Sequence, residues 1–220
     1  MLSYKNIHII GTSHISIESI QEITHYIQEE KPEIIALELD KARLQALFHK
    51  QKPSFQDIPH LGVKGFLLNI IGHYIEKKLG KLVGVSPGDE MKQAVILANK
   101  YSLQISLIDQ PIDITLKKLS KQLTWKEKFR LLKEILKALI IRDQSIKFDL
   151  RKVPPPSLIR KMIKTIKKDY PSVYNVLIKD RNEIMAKNLY TLINSNPDKK
   201  ILAIMGAAHK EDVIKIIRQY

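Results

Sequence analysis

Four short apolar runs constrain this chain more than any other feature: KNIHIIG (5–11), EIIALEL (33–39), LQISLID (103–109) and KILAIMG (200–206). Each is too short for a helix of ordinary length and is closed by a glycine or an acid, so each reads as a buried β-strand. Stretches of helical spacing separate them. After the first run, Ile15, Ile20, Ile23 and Ile27 recur on one helical face until Lys31-Pro32 stops it. After the second, Asp40 caps KARLQALFHK, with Leu44, Leu47 and Phe48 facing inward. Strand and helix in alternation favour parallel pairing through right-handed crossovers. The expected fold is α/β, a small mostly parallel sheet flanked by helices.

The middle of the chain departs from this alternation. Residues 53–59 read as a loop, followed by a helix to about Leu79, and GVSPGDE (84–90) reads as an ordered turn ahead of the helix MKQAVILANKY. From 111 to 196 the pattern is helical throughout, an all-helical insertion before the last strand of a single domain spanning 1–220. Thr124 and Glu127 form a capping box that starts a helix carrying Trp125, Phe129, Leu132, Leu136 and Leu139, and three prolines at 154–156 force a break before the next helix. A further helix carries DRNEIMAKNL, and the chain closes on an amphipathic helix after the last strand.

Charge is concentrated in the insertion. The formal net charge is +14, and between Lys117 and Tyr170 there are 17 Lys/Arg against 5 Asp/Glu, a balance of +12. The plainest reading is a solvated basic face, with Trp125 and Phe129 at core spacing forming a packing seam that would also serve a homodimer. A basic face also suits an anionic membrane surface, where each Lys or Arg contributes about 1 kcal/mol. Nucleic acid is the less favoured partner, because aromatics at core spacing are not stacking platforms. With no cysteine, thiolate zinc sites and Cys nucleophiles are excluded, and the expected compartment is a reducing cytoplasm. The most apolar stretch, 61–75, is interrupted by Lys64, Asn69 and His73 and is too short to span a bilayer.

The first and last strands end alike, in IIGTSHI and IMGAAHK. In an α/β sheet, groups just past the carboxyl ends of the strands converge on one crevice. Glycine at a strand end permits a tight turn and a close backbone approach, and the residue three on lies at the start of the helix. Were the two strands neighbours, His14 and His209 would face each other. A lone histidine in such a place caps a turn or packs on its own helix; the duplicated context sets this pair apart. Two imidazoles with Glu38, at the end of the second strand, make a ligand set for a divalent ion (Mn, Co or Zn). Glu90, after a Pro-Gly turn, and Asp109, at a strand end, would join Glu38 in a cluster of acids that needs a metal, Arg43 and Arg181, or a raised pKa to offset it.

The sequence contains no Walker loop or His-Glu-x-x-His helix. The order GTSHIS, ELDKAR, GVSPGDEM, LIDQPI, DRNEIMA, GAAH instead resembles the TraB (pheromone shutdown) family, related to the Tiki proteins and more distantly to erythromycin esterase and ChaN-like proteins. The resemblance covers almost the whole chain. It implies an α/β domain with one cleft lined by His14, Glu38, Arg43, Glu90, Arg181, Asn182 and His209. Tiki proteins are metal-dependent proteases, whereas erythromycin esterase uses its histidine as a base without metal. The resemblance therefore implies a hydrolase of peptides or small molecules, in either a metal form or a metal-free form. In the metal form His14, Glu38 and His209 hold the ion, Glu90 moves a proton, and Arg43 or Arg181 stabilises the oxyanion. In the metal-free form His14 is the general base. Archaeal relatives continue into membrane-spanning helices; with this sequence ending at Tyr220, a peripheral membrane role would rest on the basic insertion.

Overall fold

The computed structural model describes residues 2–13, 16–48, 88–140 and 153–220. His14, His49, His60 and His73, the 53–59 loop with the helix after it, and most of GVSPGDE lie outside the described residues.

The described chain is an α/β fold built on one sheet. Strands β1 (Leu2–Tyr4), β2 (Ile7–Thr12), β3 (Ile34–Leu37), β4 (Gln104–Leu107) and β5 (Ile201–Gly206) lie in the order β1-β2-β5-β3-β4. β1 pairs antiparallel with β2, and all other neighbours are parallel. The last strand of the chain thus slots between its first two parallel strands. Its register places Ile201 beside both Ile7 and Ile34, and Gly206 beside Thr12. β1 is a three-residue edge strand turned by Lys5 at a left-handed φ of 49°, too short to leave a periodic signal in the sequence.

The period of two along each strand divides the core. Ile7, Ile9, Ala36, Ala203 and Met205 face one side, packed under α8 (Asp180–Ser195) and α9 (Ala207–Ile217). Ile10, Ile35, Leu37, Leu202 and Ile204 face the other, packed under α1 (Ile17–Glu30) and α3 (Asp89–Lys100). β3 and β5 are buried along their whole length, as expected of parallel strands covered on both faces.

Caps set the helix starts. Ser16 accepts from the Ser19 amide at the head of α1, and Asp40 accepts from the Arg43 amide at 3.0 Å to begin α2 (Lys41–Phe48). Leu44 and Leu47 pack on the α1/α3 side of the sheet, whereas Phe48 is exposed rather than inward. Between β4 and β5 the described residues form α4 (Ile112–Gln122), α5 (Trp125–Ile140), α6 (Pro156–Asp169), α7 (Pro171–Tyr174), a π-helical turn (Asn175–Lys179) and α8. The Thr124–Glu127 capping box is formed, with the Thr124 amide donating to Glu127 Oε2 at 2.9 Å and the Glu127 amide to Thr124 Oγ1 at 3.3 Å. Trp125 and Phe129 are not part of a packing seam: they are 70% and 66% exposed. Among the described residues, no helix is long and apolar enough to cross a membrane.

Candidate functional site

Past the carboxyl ends of β3, β4 and β5 the chain delivers three groups to one place. β3 is followed by Glu38, β4 by Ile108 and Asp109, and β5 runs into α9, whose first turn carries His209. α8 brings Arg181 and Asn182 in from the side, in the turn after the π-helical segment, and α2 contributes Arg43. A π turn widens the helix and re-aims the residues after it. Here the Leu177 carbonyl within it accepts from Arg181 Nη1 at 3.3 Å.

Arg181 is the centre of the set. Its Nη2 donates to Glu38 Oε1 and, at 2.6 Å, to Asp109 Oδ2, while Nε donates to Asp109 Oδ2 at 3.0 Å. Asp109 Oδ2 also accepts from Arg43 Nη2 at 2.7 Å, and Arg43 Nε donates to Asp40 Oδ2 at 2.8 Å. The Asp109 side chain is fully buried and that of Arg181 is 14% exposed. Burial works against the charge on Arg181, but the attraction of Glu38 and the hydrogen bonds and charge of Asp109 outweigh it and hold its pKa above the usual arginine value.

Backbone amides complete the neutralisation. Glu38 Oε2 accepts from the Gly206 amide at 2.5 Å, Asp109 Oδ1 from the Gln110 amide at 2.8 Å, and Asp40 Oδ2 from the Ile112 amide at 3.0 Å. Three buried carboxylates thus share two guanidiniums and a ring of N–H donors, the arrangement that keeps buried charge tolerable. Asp40 reads as a helix cap in the sequence and is also a member of this network; Gln110, whose Nε2 donates to Thr115 Oγ1 at 2.8 Å, enters the sequence reading only as part of the LIDQPI motif.

His209, buried in the first turn of α9, sits at the edge of the set. Its Nδ1 is 2.6 Å from Asn182 Oδ1, and its Nε2 is 3.5 Å from both Arg181 Nη1 and Glu38 Oε1. The Asn182 oxygen calls for a hydrogen on Nδ1, while Nε2 stands at equal distance from a donor, Arg181, and an acceptor, Glu38. Six of the eight expected residues, Glu38, Arg43, Asp109, Arg181, Asn182 and His209, are therefore joined by one run of polar contacts. Glu90 is placed by α3, buried in its first turn behind Gly88. His14 lies outside the described residues, although the strand that leads to it is registered against β5 up to Thr12 and Gly206.

Of the expected metal set, Glu38 and His209 lie among the described residues and His14 does not. Both oxygens of Glu38 accept hydrogen bonds, and the space between Glu38 and His209 Nε2 is bordered by the Arg181 guanidinium. Among the described residues, no group of three or more His, Asp or Glu side chains is placed to hold a metal. A cleft of about 500 Å³ runs between α6 and α9; its wall includes Gly11 and Ala208, the residue before His209, but none of the six joined residues.

The sequence model of the TraB/PrgY/gumN family matches residues 3–219. An uncharacterized protein of Methanocaldococcus jannaschii is 35% identical over 97% of this chain and 54% of its own length. The TraB domain-containing proteins of Homo sapiens and Bos taurus are 21% and 20% identical over 80% of this chain and 50% and 49% of theirs. The chain spans about half the length of these curated relatives.

Proposed function

The chain belongs to the TraB/PrgY/gumN family, and from that premise we propose that it is a hydrolase whose working group is His209, acting without a metal. The observation that carries this reading is the His209 ring, whose Nδ1 is held by Asn182 at 2.6 Å while Nε2 is turned to the Arg181–Glu38 pair. An Asn or Asp on one ring nitrogen fixes the tautomer so that the other serves as base, a geometry that recurs on unrelated hydrolase folds. His209 Nε2 takes a proton from water or from a substrate hydroxyl. Arg181, kept charged by Glu38 and Asp109, faces the negative charge that develops on the attacked carbonyl oxygen. Arg43 holds Asp109, and through it Arg181, in place. The substrate is an ester or peptide, and a cysteine-free chain suits a reducing cytoplasm.

The test is hydrolysis of a panel of p-nitrophenyl esters and fluorogenic peptides by the protein, by His209→Ala and by Arg181→Met. Measurements are made after dialysis against EDTA and again with Mn, Co or Zn restored. The reading requires turnover that survives chelation and falls about 10²–10⁴-fold in His209→Ala. Turnover that appears only with a stoichiometrically bound ion would replace it with the His14, Glu38, His209 metal set. Equal rates for the protein and His209→Ala on every substrate would refute it.

A further inference from the structure

The first two turns of helix α5 face the opposite way from the sequence pattern. Among its described side chains the inward contacts are made by Glu127, 3% exposed and bonded to Thr124 and to the Ser172 amide, and by Leu131, which packs on Leu119, Leu123 and Val176. At 3.6 residues per turn, Trp125 and Phe129 lie on the other side of the helix. They are the two most exposed large apolar side chains among the described residues, and their rings lie against each other with centroids 6.2 Å apart. Lys128 Nζ sits 4.7 Å over the Trp125 ring, and Lys126 and Lys133 are exposed on the flank nearest Phe129. The end of α6 is tied to the same surface. Arg130 bonds the Asp169 carbonyl at 2.5 Å, and Phe129, Arg130, Lys133, Glu134 and Asp169 line one recess.

From this arrangement we propose that α5 is a membrane-docking helix that seats Trp125 and Phe129 among the headgroups of an anionic phospholipid surface, with Lys126, Lys128 and Lys133 as its electrostatic contacts. An outward aromatic pair rimmed by lysines is the pattern of a helix lying in the plane of a membrane interface. Tryptophan and lysine suit that depth, one by its amphipathic ring and the other by extending its ammonium back to water. Charge selects the occupant: Lys126, Lys128 and Lys133 border the aromatic pair in a segment that carries 17 Lys/Arg against 5 Asp/Glu between Lys117 and Tyr170, a balance that complements anionic lipid. Nucleic acid fits less well, because the two rings are tilted 35° to each other with centroids 6.2 Å apart and do not form parallel platforms for successive bases. The inference is independent of the hydrolase reading, since none of these residues belongs to the His209 set.

Trp125 is the single tryptophan of the chain, so its emission reports on this surface alone. The intact protein is titrated with phosphatidylglycerol/phosphatidylcholine vesicles, with phosphatidylcholine vesicles, and with vesicles carrying brominated acyl chains. The expected result is a blue shift on anionic vesicles only, quenching by the brominated lipid, and reversal in high salt. Phe129→Ala should weaken binding at least about tenfold, and the triple change of Lys126, Lys128 and Lys133 to Gln roughly a hundredfold, with unchanged far-ultraviolet circular dichroism. The proposal is overturned by an unchanged spectrum on anionic vesicles or by an equal shift on neutral ones. It is equally overturned by a shift that follows protein concentration without lipid, which would mark a second copy as the occupant, or by one produced by duplex DNA but not by vesicles.

Discussion

Asn182 and His209, 27 residues apart on α8 and α9, hold each other through a single contact of 2.6 Å between Oδ1 and Nδ1. In a neutral ring this contact fixes the Nδ1-protonated tautomer, which ¹⁵N chemical shifts of labelled histidine read directly. Asn182→Ala should mix the tautomers and lower kcat by about 10–10²-fold with little change in KM, whereas Asn182→Asp should keep the tautomer. An unchanged histidine spectrum in Asn182→Ala would show that Asn182 does not orient the ring.

Arg181 forms an ion pair with both Glu38 and Asp109. Removing one partner from a buried ion cluster leaves uncompensated charge, so Arg181→Ala should cost about 3–5 kcal/mol in urea unfolding. Asp109→Asn in the same background should return part of that loss. Arg181→Lys should not, because an ammonium cannot span two carboxylates with a planar fork. Additive losses in the double variant would mean that the two groups are not coupled in the folded protein.

The stability contributed by Glu127 should depend on pH. Burial pushes its carboxyl up, but hydrogen bonds from the backbone and side chains of Thr124 and Ser172 outweigh this and hold it below the ordinary glutamate value. A group whose pKa is lower folded than unfolded contributes stability above its unfolded value, near 4.3, and loses it as pH falls through the folded one. The difference between the protein and Glu127→Gln should be about 1–2 kcal/mol at pH 7 and shrink steadily below pH ~4. A difference that is constant down to pH ~2 would mean the capping box is held by shape and not by charge.

Much of this architecture is legible in the sequence. The four parallel strands, the Asp40 cap and the Thr124–Glu127 box are local patterns, and local patterns survive folding. Strand order is not local: nothing in KILAIMG says that it pairs with both Ile7 and Ile34, and only that insertion brings Gly206 to Glu38. Periodicity on α5 shows that a face exists without saying which face is covered. The Glu127 bond to the Ser172 amide, 45 residues away, turns the aromatic stripe outward. Of the candidate site, the acids and histidine follow from strand ends, and Arg43 and Arg181 from the need to offset those acids. Asn182 follows only from family resemblance, because an amide on a helix carries no pattern of its own.

Tyr26 should be replaceable at a gain. Its hydroxyl is buried on α1 without a hydrogen-bond partner among the described residues, and burial, with a smaller contribution from the charge of Glu30, pushes its pKa up to about 12. Deleting an unsatisfied buried group recovers its desolvation cost, so Tyr26→Phe should raise stability by up to about 1 kcal/mol at pH 7. A tyrosine with a raised folded pKa contributes stability below its unfolded value near 10 and loses it as pH climbs towards the folded one, so the advantage of the variant over the native residue should widen above pH ~10. A loss of stability in Tyr26→Phe at pH 7 would show that the hydroxyl has a partner after all.

Gly11, in the first of the two Gly-x-x-His motifs, is explained by packing more than by turning. Gly11 lies inside β2 with an ordinary φ, and a Cβ built on it would stand 3.1 Å from Ala207 Cα and 3.1 Å from Lys210 Cδ. The lysine chain can swing away, but Ala207 is backbone at the start of α9 and moves only with the helix. Gly11→Ala should therefore cost about 1–3 kcal/mol of stability. Because His209 is two residues beyond Ala207, the change should also disturb its ring, lengthening the contact with Asn182 and shifting the ¹⁵N tautomer signal. Lys210→Ala in the same background removes the flexible part of the clash and leaves the backbone part. It should restore little of the stability and none of the tautomer signal. Full recovery of both would show that β2 and α9 have room to spare, and that the glycine serves something other than the close seating of the histidine-bearing helix on the first parallel strand.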